Sequence, residues 1–141
     1  MSFILFGFDQ LSKYFALNYL DYGQIFSIMG QFFSFQLLFN YGAAWGILAH
    51  QNIFLLIVNL LVLLTVIYFF SYLLKFRWCG LAAPFILAGI LGNGLDRLKY
   101  GYVVDFVSIS SFPVFNFADV YLSISGVCLF LGFLNHEAFY R

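Results

Sequence analysis

IFLLIVNLLVLLTVIYFFSYLL, residues 53–74, holds no charged side chain. A membrane-crossing helix needs about 20 mainly apolar residues, so this stretch predicts a transmembrane span. The rest of the chain agrees with a lipid solvent. It is 64% hydrophobic and 9% charged, where a soluble domain is roughly half apolar and about a quarter charged. A chain of 141 residues cannot hide such an excess in a core, because a small domain leaves much of its surface in solvent. Its 21 Phe and 10 Tyr suit membrane interfaces, where a ring meets both oil and water.

Three further spans are expected on either side of this one. Residues 80–95 are apolar but short, so that span must reach Asp96 and Arg97. Residues 120–134 are also short and need Asp119 at their start. The first segment carries Asp9 and Lys13 inside it. The expected spans are 2–20, 53–74, 80–97 and 119–138, within a single domain that shows no internal repeat. No basic start precedes the first apolar run, so no cleavable leader is expected. Only eight residues precede Asp9, and at ~1.5 Å rise per residue the first span is expected to stop short of the inner surface. Lys75 and Arg77 sit in the tight connection between the second and third spans. The positive-inside rule makes it cytoplasmic, and with it both termini. Arg141 agrees, while Arg97 and Lys99 on the opposite side thin the margin.

The two longer connections then face outwards. In residues 33–37, Phe-Ser-Phe-Gln-Leu, apolar side chains recur at every second position, which is strand-like. Residues 102–110 are rich in β-branched types and read as extended. Residues 43–50 suit a short helix lying on the membrane. The expected fold is a membrane four-helix bundle with a small extracytoplasmic β-sheet and a short interfacial helix, a membrane α+β class.

Charges in membrane segments are costly, and by default they suggest function. Here they gather at one depth: Asn93, Asp96 and Arg97 end the third span, Asn116 and Asp119 begin the fourth, and Asn40 and Asp105 lie in the outer connections. Each also has a structural reading. Asp96 and Arg97 could pair as neighbours. Asp9 and Lys13, four apart with the acid first, share a helix face in the favourable order. Asn116 could cap a helix with Asp119 in its first turn, where the dipole favours a carboxylate. Asp105 could be a turn residue. Alternatively, Asp105 and Asp119 could be a working pair. Two close carboxylates do not both ionise easily. One can then draw a proton from water while the other polarises a carbonyl.

Other chemistries lack their residues. Zinc proteolysis needs His-Glu-x-x-His and serine hydrolases of the elbow type need Gly-x-Ser-x-Gly; neither motif occurs. Ser12 and Lys13 are adjacent and point to different helix faces. His50 and His136 stand far apart without a cysteine cluster, so no metal is expected. Cys79 and Cys128 read as packing thiols. With net charge zero and no basic stripe, nucleic acid is not an expected partner.

Five motifs in order resemble the lipoprotein signal peptidase (signal peptidase II) family. They are Asp9-Gln10-Leu11-Ser12-Lys13, Asn40-Tyr41-Gly42-Ala43-Ala44-Trp45, Gly92-Asn93-Gly94-Leu95-Asp96-Arg97, Val103-Val104-Asp105-Phe106 and Phe115-Asn116-Phe117-Ala118-Asp119. Trp45-Gly46 departs from the Phe-Ser of many members. The resemblance implies an aspartic endopeptidase of the bacterial inner membrane that needs no cofactor. It would cut a prolipoprotein just before the diacylglyceryl-modified cysteine of its lipobox. Asp105 and Asp119 would be catalytic. Asn40, Gly42, Asn93, Arg97 and Asn116 would line or support the site, and Asp9, Lys13 and Asp96 would hold the bundle. Substrate and membrane lipids are the expected partners of a monomer. The competing readings are a small proton-coupled transporter or channel subunit, which should place its charges at mid-bilayer, and a structural assembly subunit.

Overall fold

The structure, a computed structural model, describes residues 1–30, 32–42, 48 and 51–134. Among these, four helices and three strands follow in the order α1 (Ser2–Tyr19), β1 (Ile25–Met29), β2 (Phe33–Asn40), α2 (Asn52–Leu73), α3 (Arg77–Tyr100), β3 (Val103–Ile109) and α4 (Phe117–Leu134). Three of the helices, α2, α3 and α4, are long and apolar enough to cross a membrane. The expected interfacial helix at 43–50 lies almost wholly outside the described residues, as does the end of the span expected to reach 138.

Helix α3 is the hub, packed against α1, α2 and α4. It can serve three neighbours because its contact positions are small: Ala82, Ala83, Ala88, Gly89, Gly92 and Gly94 are buried. A Cβ on Gly89 would stand 2.6 Å from Leu122 Cγ and 2.8 Å from the Ala118 carbonyl oxygen; one on Gly92 would stand 2.6 Å from Asp9 Oδ2. Glycine at both positions lets α1 and α4 close on α3, as in membrane helix packing generally. In contrast, α2 fully buries only Val66 and leaves most of its other side chains exposed, as a lipid-facing helix does.

Gly101 ends α3 in the left-handed region at φ 80°, where glycine has no steric penalty. The chain turns there directly into β3. The antiparallel sheet has the order β1-β2-β3, with a bulge between Phe35 and Leu38 that resets the β2–β3 register so that Leu38 opposes Asp105. A cluster of Ala16, Leu37, Val104, Phe106 and Val107 seats the sheet on the end of the bundle. The ends of α1 and α3 and the starts of α2 and α4 gather there. The expected strands at 33–37 and 102–110 are both present. Strand β1 had no sequence signal, since Ile-Phe-Ser-Ile-Met does not alternate.

Candidate active site

At the start of α4 the backbone leaves four N–H groups without helical partners. Asn116 and Asp119 cap them reciprocally. The Asp119 N–H donates to Asn116 Oδ1 at 3.0 Å, and the Asn116 N–H donates to Asp119 Oδ2 at 3.1 Å. This is a capping box with aspartate in the place usual for glutamate. A further orphan, the Ala118 N–H, donates to Asp9 Oδ1 at 2.8 Å. The cap fixes the Asp119 carboxylate beside the helix start, and its second oxygen accepts from Asn93 Nδ2 at 2.8 Å.

Asp105 arrives from β3. It is 3% exposed, and its oxygens accept from Asn116 Nδ2 at 2.7 Å and Asn40 Nδ2 at 3.0 Å. Asn116 therefore touches both carboxylates. Its amide also reaches Asn93 Oδ1 at 3.1 Å and the Val104 carbonyl at 3.3 Å. Burial, and after it the charge of Asp119, push the Asp105 carboxyl up to about 7; the Asn40 and Asn116 amides pull the other way. Both carboxylates border one cavity of about 1180 Å³, walled on one side by Gln36, Asn40 and Ser108 and on the other by Ile124 and Val127 of α4.

A second group of charges lies behind the first. Lys13 Nζ stands 3.0 Å from Asp9 Oδ2 and 2.9 Å from Asp96 Oδ2, all three side chains almost fully buried. Gln10 Nε2 donates to both acids, at 3.1 and 3.2 Å, and the Val104 N–H donates to Asp96 at 3.1 Å. Lys13 also donates to Asn93 Oδ1 at 3.1 Å. That bond turns the Asn93 amide so that its NH₂ faces Asp119. One hydrogen-bonded chain thus runs from the triad to the pair.

The neighbour pairing of Asp96 with Arg97 is not formed. Adjacent residues on a helix diverge: Asp96 points to Lys13, while Arg97 Nη2 donates to the Gly42 carbonyl at 3.1 Å. Gly42 in turn donates its N–H to Asn40 Oδ1 at 2.9 Å. Arg97 therefore supports the strand carrying Asn40 rather than touching either carboxylate directly. Asn40, Asn93, Asn116, Asp105 and Asp119 are brought together, with Gly42 and Arg97 one step removed. Gln10 lies in the first motif, and its role of bridging Asp9 and Asp96 emerges only from the folded contacts. Gln36 and Ser108 had no motif; their position on the strands facing the cavity becomes visible only with the sheet register.

The chain matches the family model described as signal peptidase (SPase) II over residues 1–135. It is 36% identical over 141 residues to the lipoprotein signal peptidase of Streptococcus agalactiae, covering 98% of this chain and 92% of that one. With that of Clostridium novyi it shares 39% over 142 residues, 95% of each chain. A solved bacterial membrane enzyme at 30% identity superposes with a TM-score of 0.91, covering 99% of this chain and 88% of that one. Sequence, fold and length agree over nearly the whole chain, which belongs to the signal peptidase II family of peptidases.

Proposed function

We propose that the chain is an aspartic endopeptidase that removes the signal peptide from diacylglyceryl-modified prolipoproteins, cutting just before the lipidated cysteine. The observation that carries this reading is the pair Asp105 and Asp119, held on one cavity by a shared asparagine. No cation pairs with either carboxylate among the described residues. Near neutral pH the pair holds one proton. The ionised member takes a proton from a water, which attacks the scissile carbonyl. The protonated member donates to the carbonyl oxygen as charge develops there. The cut then passes a proton to the departing amine. The pair acts and titrates as a unit.

In this reading the single domain spans the inner membrane four times, with α1 as the first span although it carries Asp9 and Lys13. Those charges are buried against α3 and α4, which is how ionisable groups are tolerated in a bundle. Both termini are cytoplasmic and the sheet end faces outwards. The substrate's signal peptide lies in the bilayer and its lipid holds the cysteine near the outer interface, level with the pair. The apolar wall of α4 suits such a lipid-borne substrate. Family membership leaves the transporter and assembly-subunit readings without support. Incubating the purified monomer with a diacylglyceryl-modified prolipoprotein and reading the new N-terminus by mass spectrometry tests this. Cleavage immediately before the modified cysteine is expected. An intact substrate, or a cut elsewhere, counts against it.

A further inference from the structure

Strand β1 breaks the rule that a strand over a core alternates between apolar and polar faces. Every residue of it is exposed, and Ile25, Phe26, Ile28 and Met29 are each 50–65% exposed. Both faces are therefore apolar. The one polar side chain, Ser27, turns back to donate to the Gly30 carbonyl. Phe32, just after the turn, is exposed as well. Not one charged residue occurs from Tyr22 to Gly42. Water-facing edge strands are normally blunted by lysine, proline or a covering element, and this edge has no lysine or proline.

We propose that the β1–β2 hairpin is a membrane-anchoring wedge, which seats Phe26, Ile28, Met29 and Phe32 among the lipids of the leaflet at the sheet end. Lipid fits this surface better than a peptide strand does. A substrate strand added to β1 would be separated from β3 and Asp105 by β1 and β2, roughly 14 Å across three strand spacings. The surface also continues a lipid-facing one. Helix α1 exposes Phe8, Leu11, Phe15 and Tyr19 at spacings of a single face, and exposed Tyr22 carries that stripe onto the sheet. Among the described residues β1 pairs only with β2, and its open edge sets the depth. Unpaired backbone groups are not tolerated in hydrocarbon, so the hairpin lies at the boundary of headgroups and acyl chains, about 5–10 Å into the leaflet. There its edge can bond to water and lipid polar groups while its rings are covered. The anchor fixes the height of β2 and β3, and with them Asn40 and Asp105. That consequence rests on the proposed activity; the anchoring does not.

Tryptophan placed singly by Phe26→Trp and Ile28→Trp in the full chain tests the wedge, read as emission added over the parent protein with its two native tryptophans. The vesicles are phosphatidylcholine brominated either near the glycerol end of the acyl chain or near its methyl end. The added emission should be blue-shifted. It should fall by about half with shallow bromines and much less with deep ones, as an interfacial depth requires. Red-shifted, unquenched emission places the hairpin in water and overturns the proposal. Blue-shifted emission that neither bromine quenches means that protein, such as a second copy, covers it, and overturns it too. Stronger quenching by the deep bromines overturns the interfacial placement. The unmodified protein provides a check that needs no substitution. Photolysis in vesicles carrying a diazirine phospholipid should leave adducts on the peptide covering residues 22–32. Their absence there, with adducts on α2, is equally decisive against the wedge.

Discussion

Two groups of carboxylates lie a few bonds apart in this molecule, and they are solvated in opposite ways. Asp9 and Asp96 share the ammonium of Lys13. Among the described residues, Asp105 and Asp119 receive only amides, from Asn40, Asn93, Asn116 and the backbone. A cation at contact distance favours the ionised form of an acid, whereas burial beside a second carboxylate opposes it. The first group is thus an ion-paired cluster that ties α1 to α3. In the second, Asp105, raised to about 7, is left able to gain and lose a proton near neutral pH. The difference lies in where the one buried lysine points, and the two functions can be separated by substitution.

The largest separation should appear in turnover. Asn keeps the size of Asp but cannot exchange the proton. Asp105→Asn and Asp119→Asn should each lower cleavage of a lipidated prolipoprotein by at least about a thousandfold, and the double variant should be hardly slower than either single one, because the two act as a unit. Asp9→Asn should leave turnover within about tenfold of the parent, since the Ala118 N–H still finds an amide oxygen. Substantial cleavage by either purified variant of the pair would falsify the assignment and remove the contrast.

Much of this contrast was legible in the sequence, but not all of it. Hydropathy places the helices, and the family motifs bring Asn93, Asn116, Asp105 and Asp119 to one end of them. The i, i+4 spacing of Asp9 and Lys13 already implied a shared face. The partner of Asp96 was not legible. Its neighbour Arg97 is the nearest cation in sequence, but Lys13 is reached across the α1–α3 interface, and that approach depends on a bare Gly92. Strand β1 was hidden for a different reason. Its apolar faces serve neither a core nor water, so neither periodicity appears. The role of Asn116 as a bridge between the two acids emerges only when the α4 cap and β3 meet.

The triad makes a second, smaller prediction. Asp9, Lys13 and Asp96 together carry one net negative charge, so removing an acid and removing the lysine are unequal changes. Asp9→Asn leaves a balanced Lys13–Asp96 pair. Lys13→Met leaves two buried carboxylates whose remaining partners, chiefly Gln10 and backbone N–H groups, are neutral. Stranding buried charge costs about 3–5 kcal/mol. Thermal unfolding in detergent should rank Lys13→Met well below Asp9→Asn. Adding Asp9→Asn to Lys13→Met should recover part of the loss, but not all, because Asp96 remains stranded. Equal stability of the two single variants would mean that the ammonium does not carry the triad.

The smallest expected effect concerns the pair itself and the direction of its pH dependence. The Asp105 carboxyl is raised from the ordinary value of 3.8 to about 7. Between those values the folded chain holds a proton there that the unfolded chain has lost. Stability rises with pH only where the unfolded state binds more protons, so here it must fall. The contribution of Asp105 is fully present below 3.8 and is lost as pH rises through about 7. Asp105→Asn removes this titration. It also adds a fixed cost, because an amide offers one acceptor oxygen where Asn40 and Asn116 both donate. That cost does not vary with pH. The difference in apparent Tm, variant minus parent, should therefore climb in favour of the variant across the window from 3.8 to about 7 and flatten above it, by several degrees for a chain of this size. If the Asp105→Asn difference is flat with pH, the carboxyl is not strained by burial and by its neighbour. The two groups of acids would then differ in their partners but not in their protons.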